Sequence, residues 1–161
     1  MKKSLMILGI AFLGQTTIVN AATDWTPYLK PMLLGCDEDL QYTDIPNRYK
    51  ASIASKKVKG DNNDERDEII ITYTLKDSTA FGMPLVKIEV LSGYEWGHLT
   101  LFFKDNKFKT LRPKFKLPKI NPVHMKVLEN NASGYEVKMS DDQRNRSLIF
   151  NTKQKTITCD W

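Results

Sequence analysis

Two stretches in the middle of the chain place apolar side chains at every second position, with polar side chains between them. They are residues 85–91 and 97–104. A period of two over this length is typical of β-strands that bury one face. The positions expected to face the core are Val86, Ile88 and Val90 in the first stretch, and Leu99, Leu101 and Phe103 in the second. The sequence therefore predicts two strands joined by a short loop.

The loop between these strands contains two glycines and two aromatic residues, in the order Ser92-Gly93-Tyr94-Glu95-Trp96-Gly97. We expect Gly93 and Gly97 to supply the positive φ values that a hairpin loop needs. The loop then presents Tyr94 and Trp96, with Glu95 supplying charge. Aromatic side chains at a loop tip suit a contact surface, because they bring a large area with few torsions to freeze. The alternative is that both rings fold back over the end of the sheet.

Further strand patterns of similar length recur along the chain, separated by polar turns. They predict a mainly β fold, an antiparallel barrel or sandwich of roughly eight to ten short strands with a short N-terminal helix. The other predicted strands are residues 49–59, 68–76, 123–129, 135–139 and 147–152, and a last strand that places Ile157, Cys159 and Trp161 on one face. Residues 77–84 are expected to be a turn.

The helix is predicted within residues 24–35. Asp24 or Thr26 can cap its start, Pro27 suits its first turn, and Gly35 suits its end. A different irregular segment, residues 107–119, alternates imperfectly and contains Pro113 and Pro118. Because proline cannot donate to a strand ladder, we expect an edge or irregular strand there, with a bulge near Thr110.

The beginning of the chain has the form of a secretory signal peptide. Met1-Lys2-Lys3 is a basic start, residues 4–14 are an apolar run, and Val19-Asn20-Ala21 is a small-residue exit site. The run is too short to cross a bilayer, and no later segment is long and apolar enough to do so. We therefore expect residues 1–21 to be removed. Residues 22–161 then form one exported domain, periplasmic or secreted, of bacterial origin.

The two cysteines, Cys36 and Cys159, are expected to form a disulfide, because an exported chain matures under oxidising conditions. Closing so long a loop stabilises the fold by up to roughly 5 kcal/mol in the chain-entropy model. The alternative is a lipoprotein signal, since Leu33-Leu34-Gly35-Cys36 has the form of a lipobox. A polar, proline-broken segment separates it from the apolar run, which favours the disulfide.

Basic residues concentrate in one part of the chain. The formal net charge is +5, and removal of Lys2 and Lys3 leaves +3. Residues 104–126 hold eight lysines and arginines against one acid, Asp105. Such asymmetry can orient an encounter with an anionic partner. The candidate residues for binding an anionic glycan or lipid are Lys107, Lys109, Arg112, Lys114 and Lys116. A solvated basic face is the alternative.

Residue patterns typical of catalytic or metal-binding sites are sparse. His98 and His124 stand alone on predicted strands, and no Cys/His spacing forms a metal site. No nucleophile elbow, phosphate loop or zinc-protease motif is present. Paired carboxylates for a hydrolase would have to come from Glu89, Glu95 or Glu129. We expect no enzyme, no metal and no cofactor.

Nucleic acid is not expected as a partner either. Phe103, Phe108 and Phe115 are interleaved with the basic run, in a pattern that superficially suits a single strand. Export and the modest net charge argue against that interpretation.

The tripeptide Ser-Gly-Tyr occurs twice, at residues 92–94 and 133–135. With the size and the expected all-β fold, the first copy is similar to the loop of the bacterial periplasmic lysozyme inhibitors. In that family a Ser-Gly-x-x-Tyr loop enters the cleft of the enzyme. The resemblance implies a loop that inserts into a partner protein. This chain departs from the pattern, because the fourth residue after Ser92 is Trp96, and the fourth after Ser133 is Val137.

These features together predict an exported binding protein that inhibits or neutralises another protein. A cell-wall hydrolase inhibitor and a toxin immunity protein both fit. The expected contact residues are Ser92, Gly93, Tyr94, Glu95 and Trp96. The alternative is an envelope module that binds an anionic glycan or lipid through its basic face. A hydrolase is the third interpretation, and it would require His98 or His124 to lie in a pocket beside a carboxylate or hydroxyl.

Overall fold

A computed structural model describes most of the chain. The described residues are 21–36, 44–60, 68–93, 96–119, 124–139 and 145–161. The predicted signal peptide, apart from Ala21, therefore lies outside the described residues. Within them the strands are β1 (Thr23–Asp24), β2 (Ile53–Lys59), β3 (Ile69–Leu75), β4 (Ser78–Ala80), β5 (Met83–Ser92), β6 (Gly97–Phe103), β7 (Met125–Asn131), β8 (Gly134–Met139), β9 (Asn145–Asn151) and β10 (Thr156–Asp160). The helices are α1 (Thr26–Leu34), α2 (Asn47–Lys50) and α3 (Phe108–Leu111), and a 3-10 turn covers Arg112–Lys114.

The strands form one sheet. Its main part is antiparallel, in the order β2-β3-β5-β6-β10-β9-β8-β7. The short strand β4 pairs with the start of β5 and, in parallel, with β1. The mainly β prediction is confirmed, and the ten strands of the described residues fall within the predicted range. The pairing of β6 with β10 joins the group β2-β3-β5-β6 to the group β10-β9-β8-β7. β2 and β7 are therefore the strands at the two ends of this order.

One face of the sheet carries the core. The strand register places Tyr73, Ile88, Leu101, Ile157 and Phe150 side by side in one row. A second row consists of Val90, Leu99, Cys159, Leu148 and Tyr135. All ten side chains are buried. Because successive residues of a strand point to opposite faces, the rows follow directly from the alternation seen in the sequence.

The prediction of which β5 side chains face the core is wrong at the start of the strand. Val86 is 40% exposed, whereas Leu85 is buried with Ile88. The register between β5 and β6 shifts between Leu85 and Lys87, so Val86 is the extra residue of a β-bulge. A bulge changes which face the preceding residues occupy, and strict alternation does not reveal it.

Helix α1 covers part of the core, as predicted. The Asp24 carboxylate accepts a hydrogen bond from the backbone N–H of Thr26 at 2.9 Å, and the helix ends before Gly35, whose φ is 131°. Ahead of the helix, the Trp25 ring stacks on Tyr49 with centroids 4.7 Å apart. The Trp25 indole N–H lies 3.1 Å from the hydroxyl of Ser52, which satisfies the polar edge of a buried ring.

Three sequence expectations need correction. Tyr49 belongs to α2 rather than to a strand, and β2 begins only at Ile53, because the chain turns at Ser52, whose N–H donates to the Tyr49 carbonyl. Residues 77–84 contain strand β4 as well as a turn. Residues 107–119 form α3 and the 3-10 turn instead of an edge strand. In that segment the buried side chains Phe108, Leu111 and Phe115 recur at helical spacing.

The predicted disulfide is present. Cys36 and Cys159 are bonded, with their Cα atoms 5.4 Å apart, and both are fully buried. The bond joins the segment after α1 to strand β10. The backbone N–H of Cys36 also donates to the Tyr135 hydroxyl at 2.8 Å, which ties the same segment to β8. The Cys36 sulfur is thus occupied by the disulfide rather than free for lipid attachment.

Candidate functional site

The candidate contact loop closes the β5–β6 hairpin. Ser92 and Gly97 are the last paired residues of the two strands. Beyond them, the N–H of Gly93 donates to the carbonyl of Trp96 at 2.7 Å. Tyr94 and Glu95, two of the expected contact residues, lie outside the described residues. The structure therefore places Ser92, Gly93 and Trp96 together.

The two glycines of the loop have a different role from the predicted one. Neither Gly93 nor Gly97 has a positive φ, so that expectation was wrong. Instead they make room for tryptophan rings. A Cβ on Gly93 would lie 2.7 Å from the indole nitrogen of Trp96, and a Cβ on Gly97 would lie 3.0 Å from the ring of Trp161. Gly93 is needed because the Trp96 ring occupies the space of its missing side chain, whereas a Cβ on Gly97 would lie closest to the Leu91 carbonyl, at 2.8 Å.

Trp161 is a part of this region that the sequence did not assign to the site. Its N–H donates to the Gly97 carbonyl at 3.1 Å, and its carbonyl accepts from the Gly97 N–H at 3.0 Å. Its ring is partly buried and packs against the core. The sequence placed Trp161 on the inward face of the last strand, but only the pairing of β6 with β10 brings it beside the hairpin.

Trp96 itself stays at the surface. Its side chain is 42% exposed, and its ring lies against the backbone of its own loop at Gly93 rather than in the core. The structure thus combines features of both sequence interpretations, since the ring folds back on the loop and still presents a large apolar area to solvent. The ring rests on backbone that is hydrogen-bonded on both sides, at Gly93 and Gly97.

The second Ser-Gly-Tyr tripeptide is structural. Gly134 has a φ of 141° and lies tightly against the backbone of Leu148, where a Cβ would collide with the carbonyl. Tyr135 is buried and accepts the hydrogen bond from Cys36. This turn therefore stabilises the β7–β8 hairpin and does not offer its tyrosine to a partner.

A shallow groove of about 310 Å³ lies next to that turn. Glu129 and Glu136 line it and stand directly opposite each other on β7 and β8. Each carboxylate accepts a hydrogen bond from an asparagine amide, Asn131 and Asn145 respectively. Of the carboxylates named from the sequence, Glu129 lies here, Glu89 lies elsewhere in an ion pair with Lys87 at 3.2 Å, and Glu95 lies outside the described residues. Glu129 and Glu89 are thus not brought together.

The basic run divides into exposed lysines and one engaged arginine. The side chains of Lys107, Lys109, Lys114 and Lys116 are exposed. Arg112 instead donates four hydrogen bonds within the protein. Its acceptors are the carbonyls of Asn131, Phe115 and Gly134 and the side-chain oxygen of Asn130, at 3.0, 2.9, 3.1 and 2.6 Å. Arg112 therefore holds the β7–β8 turn against the 3-10 turn.

His98 stands in a row with a carboxylate and a hydroxyl. His98 pairs in register with Asp160, and the Asp160 carboxylate accepts a hydrogen bond from the Ser147 hydroxyl at 2.7 Å. In the strand register Asp160 therefore stands between His98 and Ser147, whereas a serine nucleophile needs its base within direct hydrogen-bond reach. His124 lies exposed just before β7. Among the described residues no group of three potential metal ligands comes together.

No protein-family model, curated protein sequence or solved structure matches this chain. Within the described residues no helix is long and apolar enough to span a membrane. The similarity to the lysozyme inhibitors therefore rests on the hairpin residues and the general β architecture.

Proposed function

We propose that the protein is an exported binding protein that contacts another protein through the tip of the β5–β6 hairpin and inhibits or neutralises it. A cell-wall hydrolase or a delivered toxin is the proposed target. The observation that carries this proposal is the exposed ring of Trp96, which is 42% accessible at the tip of a hairpin. Tryptophan is enriched among the few residues that supply most of the binding energy of protein interfaces.

The hydrogen bonds of the backbone on either side of this ring support the proposal. The Gly93–Trp96 hydrogen bond and the paired Gly97–Trp161 hydrogen bonds constrain the backbone on both sides of the ring. A contact residue that is ordered before binding loses less conformational entropy in the complex. The buried disulfide strengthens this frame, because Cys159 lies two residues before Trp161 on the strand beside the hairpin.

The test uses Trp96→Ala with a matched control. Leu128 is also a large exposed apolar residue, 46% accessible, but it lies on β7 at the far end of the strand order. Purified wild-type, Trp96→Ala and Leu128→Ala proteins are immobilised and exposed to envelope extract and culture fluid. A protein recovered by the wild type is then titrated against all three, and its activity is assayed with and without the wild type.

We expect the wild type and Leu128→Ala to recover the same protein and to suppress its activity. Trp96→Ala should bind it at least about 30-fold more weakly, because truncating a central aromatic anchor costs about 2 kcal/mol or more. Equal affinity of Trp96→Ala and wild type would exclude the hairpin as the contact. Failure to retain any protein, or an unchanged activity of the bound protein, would reject the inhibitory function.

A further inference from the structure

In residues 104–119, which follow β6, the lysine side chains are exposed and most apolar side chains are buried. Phe108, Leu111 and Phe115 are buried, and the intervening lysines are exposed. We call four of these exposed lysines the basic face. It consists of Lys107, Lys109, Lys114 and Lys116. Burial of the apolar side chains leaves the four lysines on the outside of the segment.

Few acids offset this charge. The ion pair Lys87–Glu89 belongs to β5 and includes none of these lysines. Asp105, the one acid of the segment, accepts a hydrogen bond from the backbone N–H of Lys107. Among the described residues none of the four lysines of the basic face is in an ion pair, so their ammonium groups contribute a positive potential there.

The basic face adjoins an exposed apolar residue. The N–H of Lys116 donates to the carbonyl of Leu33 at 2.9 Å, which fixes the segment against the end of α1. The next residue of the helix, Leu34, is 55% exposed. Further along, Pro118 packs so closely on Gly35 that a Cβ there would lie 2.6 Å from the proline Cα. The segment that carries the lysines is thus attached to the end of α1, where Leu34 is exposed.

The chemistry of the basic face narrows the choice of partner. Phe108 and Phe115 are buried, so they offer no ring on which a nucleic acid base could stack. Arg112, which could grip a single phosphate with two parallel hydrogen bonds, is engaged inside the protein. Lysine ammoniums act as point charges without strict geometry, and this suits a surface with many mobile anionic groups.

We propose that the basic face docks on the surface of an anionic phospholipid bilayer, with Leu34 at the edge of the contact. Each lysine near such a surface strengthens binding by about fivefold. Four lysines together should then strengthen it by a few hundredfold at low ionic strength. Because the attraction is screened over about 8 Å at 0.15 M salt, it should weaken steeply as salt is added. This proposal does not depend on the hairpin function.

The test measures sedimentation of the purified protein with vesicles. One set is an equal mixture of phosphatidylglycerol and phosphatidylcholine, and the other is phosphatidylcholine alone. The variant replaces Lys107, Lys109, Lys114 and Lys116 with glutamine. The control variant removes the same charge elsewhere, by Lys56→Gln, Lys57→Gln, Lys59→Gln and Lys153→Gln, all exposed positions outside the basic face. Thermal unfolding verifies that both variants are folded.

We expect the wild type to bind the anionic vesicles only, and the basic-face variant to lose roughly a hundredfold in affinity or more. The control variant should stay within about fivefold of the wild type. Equal losses in the two variants would show a general effect of net charge and overturn the proposal. So would equal binding to both vesicle types, no binding at low salt, or variant-sensitive binding to an oligonucleotide without binding to vesicles.

Discussion

Removing the Arg112 side chain should destabilise the protein although the residue lies in a basic run that looks like a ligand site. The guanidinium donates four hydrogen bonds, of which those to the carbonyls of Phe115 and Gly134 are partly buried. A hydrogen bond from a charged donor is worth about 1.5–3 kcal/mol when it is shielded from water. The two exposed hydrogen bonds add little, because water replaces them. Since the other two are only partly shielded, each is taken at the lower end of that range, and Arg112→Ala should lower the free energy of unfolding by about 3 kcal/mol.

Two further variants separate geometry from charge. Arg112→Lys keeps the charge, but its single ammonium cannot reach both carbonyls, so it should recover less than half of the loss. Lys109→Ala removes a charge from the neighbouring helix α3, where the side chain is exposed, and should change stability by less than about 0.5 kcal/mol.

Urea unfolding followed by tryptophan fluorescence measures all three variants. If Arg112→Ala and Lys109→Ala lose the same stability within about 0.5 kcal/mol, the hydrogen bonds of Arg112 do not stabilise the fold and the reasoning is refuted. Full rescue by Arg112→Lys would show instead that charge alone matters. In either case Arg112 would return to the candidate anion-binding residues.

Two other substitutions test the packing of the core and its edge. Gly97→Ala would place a Cβ 2.8 Å from the Leu91 carbonyl, which is backbone and cannot move aside. The substitution should therefore lower the free energy of unfolding, measured in urea, by about 1–3 kcal/mol. An unchanged urea midpoint would disprove the close approach. Burial raises the pKa of Tyr28 from 10.0 to about 12. The stability from neutral Tyr28 is fully present below pH 10 and is lost as pH rises to about 12, because the unfolded chain ionises first. Tyr28→Phe should therefore lose less stability than the wild type over this pH range, and parallel losses would contradict the shift.

The alternation of apolar and polar residues was sufficient to predict the strands of the sheet but not its local irregularities. The period of two placed Leu99, Leu101 and Phe103 correctly on the buried face of β6. It failed at Val86, because one extra residue in a bulge reverses the face of the residues before it. A bulge is defined by how a strand pairs with its neighbour, and the residue pattern of one strand alone does not show that pairing.

Short helices were also missed, for a different reason. The spacing of Phe108, Leu111 and Phe115 is helical, but the segment is so short that it also fits an irregular strand. The prolines of the segment favoured the wrong choice. In the structure, Pro113 lies in the 3-10 turn, where its missing N–H costs no hydrogen bond.

The composition of the candidate site depended on contacts between distant parts of the chain. The sequence pointed to Trp96 because it lies beside a glycine in a predicted hairpin. It could not point to Trp161, which reaches Gly97 only through the pairing of β10 with β6. The same pairing sets His98 opposite Asp160. Strand order is a property of the whole fold. The pattern of residues within one stretch of sequence therefore does not predict which residues meet through the pairing of distant strands.

The disulfide connects the two surfaces proposed for binding. Cys159 lies on the strand beside the hairpin, and Cys36 follows α1, whose Leu33 holds the basic face through Lys116. Each surface is thus attached to the same buried bond, but by different hydrogen bonds and different side chains. Within the described part of the chain no hydrogen bond, ion pair or ring contact joins Trp96 to the basic face, and the effects of substitutions at independent sites usually add. Trp96→Ala should therefore leave vesicle binding unchanged, and the basic-face variant should leave protein binding unchanged, so each proposal can fail without the other.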